Sequence, residues 1–304
     1  MRYKITHTTT YNYTETVPIS HNEVRLTPRD GRGQTCLSHR LAIKPKPETL
    51  VRRADYFGNP SHHFSILEAH KRLCVHAVSR VEVRPSPLPA PDLTPSWEQI
   101  RDVVRRADNP LTLEALQFTF ESPSVTLPAG LRGYGEESFP TGRPILAGVM
   151  DLTSRIHRDF KFDPRATTVS TPVDEVLELR RGVCQDFAHL EIAALRLLGI
   201  PARYVSGYLR TSPPPGRPRL VGADASHAWL SVYCGAAGWI DVDPTNDCYV
   251  STDHITVAWG RDYNDVCPIK GVFIGGGTHR MTVSVDVLPL DVPPAKSSRR
   301  AAPE

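Results

Sequence analysis

RRGVCQDFAHLEIAALRLLG, residues 180–199, spaces Phe187, Leu190, Ala194, Leu197 and Leu198 along one helical face and supplies a stop at Gly199. A buried helix that opens at Cys184 is expected. At a helix N-terminus a thiol meets the positive end of the macrodipole and amide hydrogens that the helix leaves unpaired, and both favour the thiolate. The same amides can point at an oxyanion on an attacked carbonyl, and Gly182 leaves room there for substrate backbone. The position suits acyl chemistry.

Working outward, PSWEQIRDVVRRA (95–107), PILAGVMDLTSRIHRDF (144–160) and TPVDEVLELRR (171–181) space their apolar residues three and four apart behind Pro95, Pro144 and Pro172. These read as helices. After residue 200, ARYVSGYLR, SHAWLSVY and GWIDVDP alternate with period two and read as strands. Residues 96–290 therefore read as an α+β core. Residues 1–84 are mostly period two, beginning Tyr3, Ile5, His7, Thr9, Tyr11, Tyr13, with turns at Pro28–Gly31 and Phe57–Pro60. An antiparallel, sandwich-like β domain built of hairpins is the simplest assembly. Between the two halves lies PSPLPAPDLTP, 85–95, whose five prolines bar it from helix or central strand, so the halves are expected to separate there. Residues 291–304, DVPPAKSSRRAAPE, read as a flexible tail.

Bulk composition narrows the function. The 304 residues are 40% hydrophobic and 23% charged, enough for one large or two modest cores. Lys and Arg number 36 against 33 Asp and Glu, and they are scattered, which disfavours nucleic acid and anionic lipid as partners. The N-terminal segment lacks a signal-like apolar core, and no run is long enough to span a membrane. A cytoplasmic protein is expected, with its six cysteines (36, 74, 184, 234, 248, 267) reduced.

A nucleophilic thiol needs a base, and the base needs a third group to fix its tautomer. His227 leads SHAWLSVY and Asp243 closes GWIDVDPT, with only the turn CGAAG between the two strands. Adjacent antiparallel strands would set them side by side.

The blocks GVCQDFAH, SHAWLSV and GWIDVDPTND together resemble the signature blocks of the transglutaminase-like superfamily, in its bacterial cysteine-protease branch. TPRD at 27, DYFGN at 55, RYVSGYL at 203, VGADASHAW at 221 and AWGRDY at 258 extend the resemblance over nearly the whole chain. The resemblance implies a β-rich N-terminal domain followed by a papain-like α+β core, with the nucleophile falling on Cys184, the base on His227 and the orienting carboxylate on Asp243. Asp243 is chosen over Asp241 because the family's aspartate stands four residues after a tryptophan, here Trp239, and just before Pro-Thr. No residue matches the second oxyanion donor of animal transglutaminases. The implied activity is attack on a peptide, protein or small-amide carbonyl through a thioester, without cofactor or metal. Water as acceptor gives a peptidase or amidase, the favoured outcome; an amine gives a transglutaminase. A non-catalytic binding module is disfavoured by the intact trio, and a purely structural role rests only on the edge strands of the β domain.

Other features carry plainer readings. There is no CxxC or HExxH, and Cys234, Cys248 and Cys267 are spaced too widely for a zinc knuckle. His62 and His63 alternate faces, one exposed and one half-buried. Gly275–Gly277 lack a following Lys-Ser or Lys-Thr pair and read as a tight turn. PPPGRPR, 213–219, reads as a loop near the active site or a polyproline ligand. Trp229 and Trp239 either wall the site or fill the core.

Overall fold

Period-two alternation carries β1 (Arg2–Val17) through a single long strand that buries Tyr3, Ile5, His7 and Thr9 on one side. The computed structural model describes residues 1–211 and 225–291. PPPGRPR, the VGAD portion of the 221 block and the expected tail beyond Asp291 lie outside the described residues. After β1 come β2 (Ile19–Val24), β3 (Gln34–Lys44), β4 (Thr49–Ala54), β5 (Pro60–Ile66) and β6 (His70–Val83). The turn after Asp55 joins β4 to β5 as a hairpin, with Gly58 at φ +73°. Pro28–Gly31 does something else: β2 and β3 lie in different sheets, so this segment is a crossover. His62 and His63 on β5 are both half-buried.

The second half supplies α1 (Trp97–Arg106), α2 (Pro110–Leu116), α3 (Ala129–Glu136), α4 (Ile145–Asp159), α5 (Val173–Leu179) and α6 (Cys184–Leu197), with the short parallel pair β7 (Lys161–Phe162) and β8 (Arg181–Gly182) between them. Strands β9 (Ala202–Leu209), β10 (Ala225–Tyr233), β11 (Trp239–Asp243), β12 (Cys248–Tyr249) and β13 (His254–Gly260) then form a sheet of order β12-β11-β10-β9-β13. The chain is α+β with antiparallel sheets. A short helix, α7 (Tyr263–Val266), leads out of it to β14 (Ile269–Ile274) and β15 (His279–Pro289).

Those last two strands leave the core. β15 pairs with β1 from Tyr3↔Pro289 to Tyr13↔His279, and β14 pairs with β2 from Val24↔Ile269 to Ile19↔Ile274. The two N-terminal sheets are thus β15-β1-β6-β3 and β14-β2-β5-β4. An assignment of 96–290 to one core places residues 269–289 in the wrong half. Alternation fixes which face of a strand is buried, not which strand lies beside it, and here the C-terminal strands cover the open edges of β1 and β2. Gly275, Gly276 and Gly277, all at positive φ, form the turn that carries the chain between the two sheets.

One hydrophobic core joins the halves, since Tyr3, Ile5, Val81, Val285 and Val287 cluster with Leu190, Tyr208, Leu230 and Val257. A second, smaller core lies within the β region around Val24, Leu26, Phe64, Ile66 and Leu73. The proline-rich stretch ends docked: Thr94 Oγ1 accepts the Leu146 amide at 3.2 Å, at the start of α4. No helix among the described residues is long and apolar enough to cross a membrane.

Candidate active site

The local sequence places Cys184 at the first position of α6 through an acid in the helix's first turn. Asp186 Oδ2 accepts the Val183 amide at 2.8 Å and the Thr167 hydroxyl at 2.7 Å, which pins the chain where it turns into the helix. The space beside Gly182 belongs to this acid, because a Cβ there would stand 2.6 Å from Asp186 Oδ2. Packing against Asp186 accounts for that glycine. Every residue of α6 from Gln185 to Arg196 is buried, so the helix is sheathed on all sides instead of along one stripe. Its first amides have no intrahelical acceptor and open beside the thiol.

His227 sits near the start of β10, the central neighbour of both β9 and β11. The register pairs Leu230 with Val242, so Asp243 lies one step beyond that pair and diagonal to His227. His227 Nε2 and Asp243 Oδ2 are 2.7 Å apart, which leaves Nδ1 for Cys184. Cys184 and His227 line one cavity of about 420 Å³, and the structure thus brings all three residues expected from the sequence together. Burial works to lower the basicity of His227, but hydrogen bonds to Asp243 and Cys184 and the charges of both push its pKa up to about 10. Burial likewise opposes ionisation of Asp243, and is overridden by bonds from His227 and His254, the charge of His227 and the Asn246 amide, which hold the carboxyl well below the usual range. The Thr245 amide adds a bond to Oδ1 at 2.9 Å.

Asp241 is engaged elsewhere, since its Oδ2 accepts the Trp229 indole hydrogen at 3.2 Å. Trp229 has no exposed surface and its ring tip covers Gly207, where a Cβ would meet it at 2.4 Å. Neither Trp229 nor Trp239 lines the Cys184 cavity. Trp229 packs 5.3 Å from His254 and 6.1 Å from His227, supporting the imidazoles from within the core.

Four further residues at the site escaped the sequence reading. His254 Nε2 reaches Asp243 Oδ2 at 3.1 Å, and Asn246 Nδ2 reaches the same oxygen at 2.6 Å. His7 crosses from β1 to line the cavity, bonded through Nδ1 to Tyr208 Oη at 2.9 Å and through Nε2 to Thr9 Oγ1 at 3.0 Å; burial pushes it down to about 4, so it is neutral. Tyr204 lines the same cavity with its ring 4.8 Å from that of His189. The TND following Asp243 and the DHI opening β13 were visible signals for Asn246 and His254; nothing local marked His7. Met281, Val283 and Val285 of β15 also line the cavity, so the β region contributes to the site.

His227, Asp243 and His254 are also the one group among the described residues whose ligand atoms, within 4.8 Å of one another, could hold a metal ion. Both histidine nitrogens contact the carboxylate oxygen directly at hydrogen-bond distance, whereas a zinc ion would stand about 2.0–2.2 Å from each and part them. The geometry is that of a hydrogen-bond network.

Residues 3–82 match the family model of the bacterial transglutaminase-like N-terminal region, and residues 138–244 match that of the transglutaminase-like superfamily. An uncharacterized protein of Mycobacterium tuberculosis is 42% identical over 299 residues, covering 95% of this chain and 93% of its own length. A solved structure, that of "a Putative Cysteine Protease from Cytophaga hutchinsonii", shares the fold with a TM-score of 0.73 at 22% identity, over 97% of this chain and 93% of that one. A protein-glutamine gamma-glutamyltransferase of Pseudomonas aeruginosa is 35% identical over 102 residues, which are 31% of this chain and 15% of that protein.

Proposed function

The chain belongs to the transglutaminase-like superfamily, and from that premise we propose that it is a cysteine-dependent acyl-transfer enzyme of hydrolytic type. Cys184 is the nucleophile, His227 the general base and acid, and Asp243 the carboxylate that orients the imidazole. The observation that carries this reading is a single arrangement: Cys184 and His227 face one cavity while the far nitrogen of His227 is bonded to a fully buried Asp243.

In the first step the Cys184 proton passes to His227 Nδ1, and the thiolate sulfur attacks the carbon of a carboxamide or peptide carbonyl. The C–N bond breaks as His227 returns the proton to the departing amine, leaving a thioester. Water then attacks the thioester, giving its proton to His227, and the sulfur leaves to be reprotonated. Asp243 stabilises the imidazolium throughout without taking a proton. The amides at the start of α6 serve the oxyanion, with the Tyr204 hydroxyl, which lines the same cavity, as the second donor.

Hydrolysis is favoured by the open mouth of the cavity, where Met281 and Val283 are 54% and 49% exposed and do not shut water out. The gamma-glutamyltransferase relative supports a second reading, in which a primary amine resolves the thioester. Incubating the protein with peptide and carboxamide substrates, with and without a lysine-like amine, separates the two by mass spectrometry. A hydrolysed product that forms equally in the presence of amine supports hydrolysis, an amine conjugate supports transfer, and products unaffected by Cys184→Ala would remove the whole reading.

A further inference from the structure

A second cavity, of about 680 Å³, opens where the crossover at 29–34 and the start of the proline-rich stretch meet β9, β11 and β13. It shares no lining residue with the Cys184 cavity. Into it faces Arg203, on β9, whose guanidinium carbon lies 4.2 Å from the ring centre of Trp239 and 3.9 Å from that of Trp259. Arg29 stands 3.5 Å from the Trp259 ring centre, so two cations sit against one indole.

Both arginines bury an unpartnered Nε, but they differ in how the rest of the guanidinium is held. Arg29 Nη1 donates to Phe57 O and Asn59 Oδ1 and is held in place by the protein. Arg203 is only 7% exposed, and its Nε is buried without a partner. Ring stacking covers the faces of a guanidinium and leaves the in-plane donors open. A buried guanidinium with an unmet Nε–H is costly, which makes it a poor structural element unless something arrives to meet that donor. Asp241 is near enough to act through its charge, yet its Oδ2 takes the Trp229 hydrogen. Burial lowers the Arg203 pKa to about 10, so the group is a cation at neutral pH. The hydroxyl of Tyr249, in the same cavity, is also buried without a partner.

We propose that this cavity is a binding site for a small organic oxyanion, a carboxylate or phosphate carried on an apolar body. The in-plane fork of Arg203 receives two oxygens of the head group, the Tyr249 hydroxyl donates a further bond, and the rings of Trp239 and Trp259 flank the body. His254 lines this cavity and bonds to Asp243, so an occupant lies one side chain away from the triad.

Benzoate and phenyl phosphate are suitable probes for the two head groups, with benzamide as their neutral counterpart. Titration of the full chain, followed by calorimetry and by the fluorescence of its tryptophans, is expected to give saturable binding of one or both anions and none of benzamide. Binding by benzoate alone points to a carboxylate ligand and by phenyl phosphate alone to a phosphate; either supports the site. Cys184→Ala should bind as the parent does. Arg203→Lys keeps the charge but loses the fork, and should weaken binding by roughly tenfold or more. Tyr249→Phe removes only the hydroxyl and should weaken it severalfold, which keeps the test decisive if Arg203→Lys fails to fold. The proposal is overturned if the folded parent binds neither anion, if benzamide binds as well as benzoate, or if Tyr249→Phe and a folded Arg203→Lys both bind undiminished.

Discussion

His254 Nε2 lies 3.1 Å from Oδ2 of Asp243, the same oxygen that His227 Nε2 meets at 2.7 Å. His254 Nδ1 receives the Ser251 amide at 3.3 Å, so the ring hydrogen is on Nε2 and is donated to the carboxylate. In the proposed mechanism His254 is a positioning residue for the triad. His254→Phe should lower kcat by roughly ten- to a hundredfold, the worth of one charge-assisted hydrogen bond. Because that bond favours the ionised carboxylate, its loss should also move the acid limb of the pH–rate profile to higher pH, and His254→Gln should restore part of both. A folded His254→Phe enzyme with lower kcat and an unmoved acid limb would show that the residue only packs.

Glu191 lies seven residues beyond Cys184 on α6 and has no exposed surface. Its Oε1 is 2.8 Å from Thr153 Oγ1, which also lies 2.9 Å from Val149 O, while Oε2 has no partner. The single Thr153 hydroxyl hydrogen is shared between the two oxygens, so the Glu191 carboxyl is poorly compensated for its burial. Burial pushes its pKa up to about 8 against the Thr153 bond, with the charges of Asp243 and Asp247 adding to the rise. The folded chain then keeps a proton that the unfolded chain releases above about pH 4.5, so stability falls between about pH 4.5 and 8. Glu191→Gln should match the parent near pH 4 and melt higher by roughly 5 °C at pH 8. Parallel melting curves for the two proteins across that range would refute the assignment.

Much of this architecture is legible in the chain. The spacing in 180–199 gives α6 and its Cys184 start, and the alternation in 226–243 gives the two strands that carry His227 and Asp243. Pattern reading fails where polar residues find distant partners. Arg196 is buried because it donates to Phe120 O, Ala202 O and Arg261 O, and His189 because it accepts the Tyr263 amide. His254 meets Asp243 across the sheet although β9 and β10 lie between their strands. No local period encodes such pairs. β14 and β15 were misplaced for the same reason, since alternation does not name a partner.

Cys184 is half-buried in an open cavity beside a histidine, whereas Cys234, Cys248 and Cys36 are placed to react slowly. Cys234 is fully buried, which pushes it up to about 12; burial and the charges of Asp243 and Asp247 push Cys248 up to about 11; and burial raises Cys36. Brief iodoacetamide treatment at neutral pH and peptide mapping should find Cys184 modified first, with slower modification in His227→Ala. Equal labelling of Cys36 or Cys267 would count against the nucleophile assignment.

Residues 85–88 are exposed and outside any strand, so limited proteolysis should cut there first. The two pieces should nevertheless stay together. β15 pairs along β1 from Tyr3 to Tyr13, and Tyr3 and Ile5 share a core with the second half. The nicked protein should elute as one species on native size exclusion and come apart only in denaturant. Release of a free N-terminal fragment without denaturant would mean that these strands do not hold the halves.

Asp243 and Asp241 stand two residues apart on β11, and only Asp243 is bonded to His227. In Asp243→Asn the amide oxygen can still accept the Thr245 hydrogen, so the fold should persist. The amide nitrogen would then face His227, His254 and Asn246, three groups that now donate to a carboxylate oxygen, and would favour the unproductive tautomer of His227 while no longer offsetting the imidazolium charge. Turnover should fall by about a thousandfold or more, as for the analogous change in serine proteases. Asp241→Asn keeps an oxygen for the Trp229 hydrogen and should lose only a few fold. The check is acylation rate for both variants side by side, with circular dichroism as the folding control. A folded but inactive Asp241→Asn beside an active Asp243→Asn would reverse the assignment, because it would mean that the residue holding Trp229, and not the one bonded to His227, governs the chemistry.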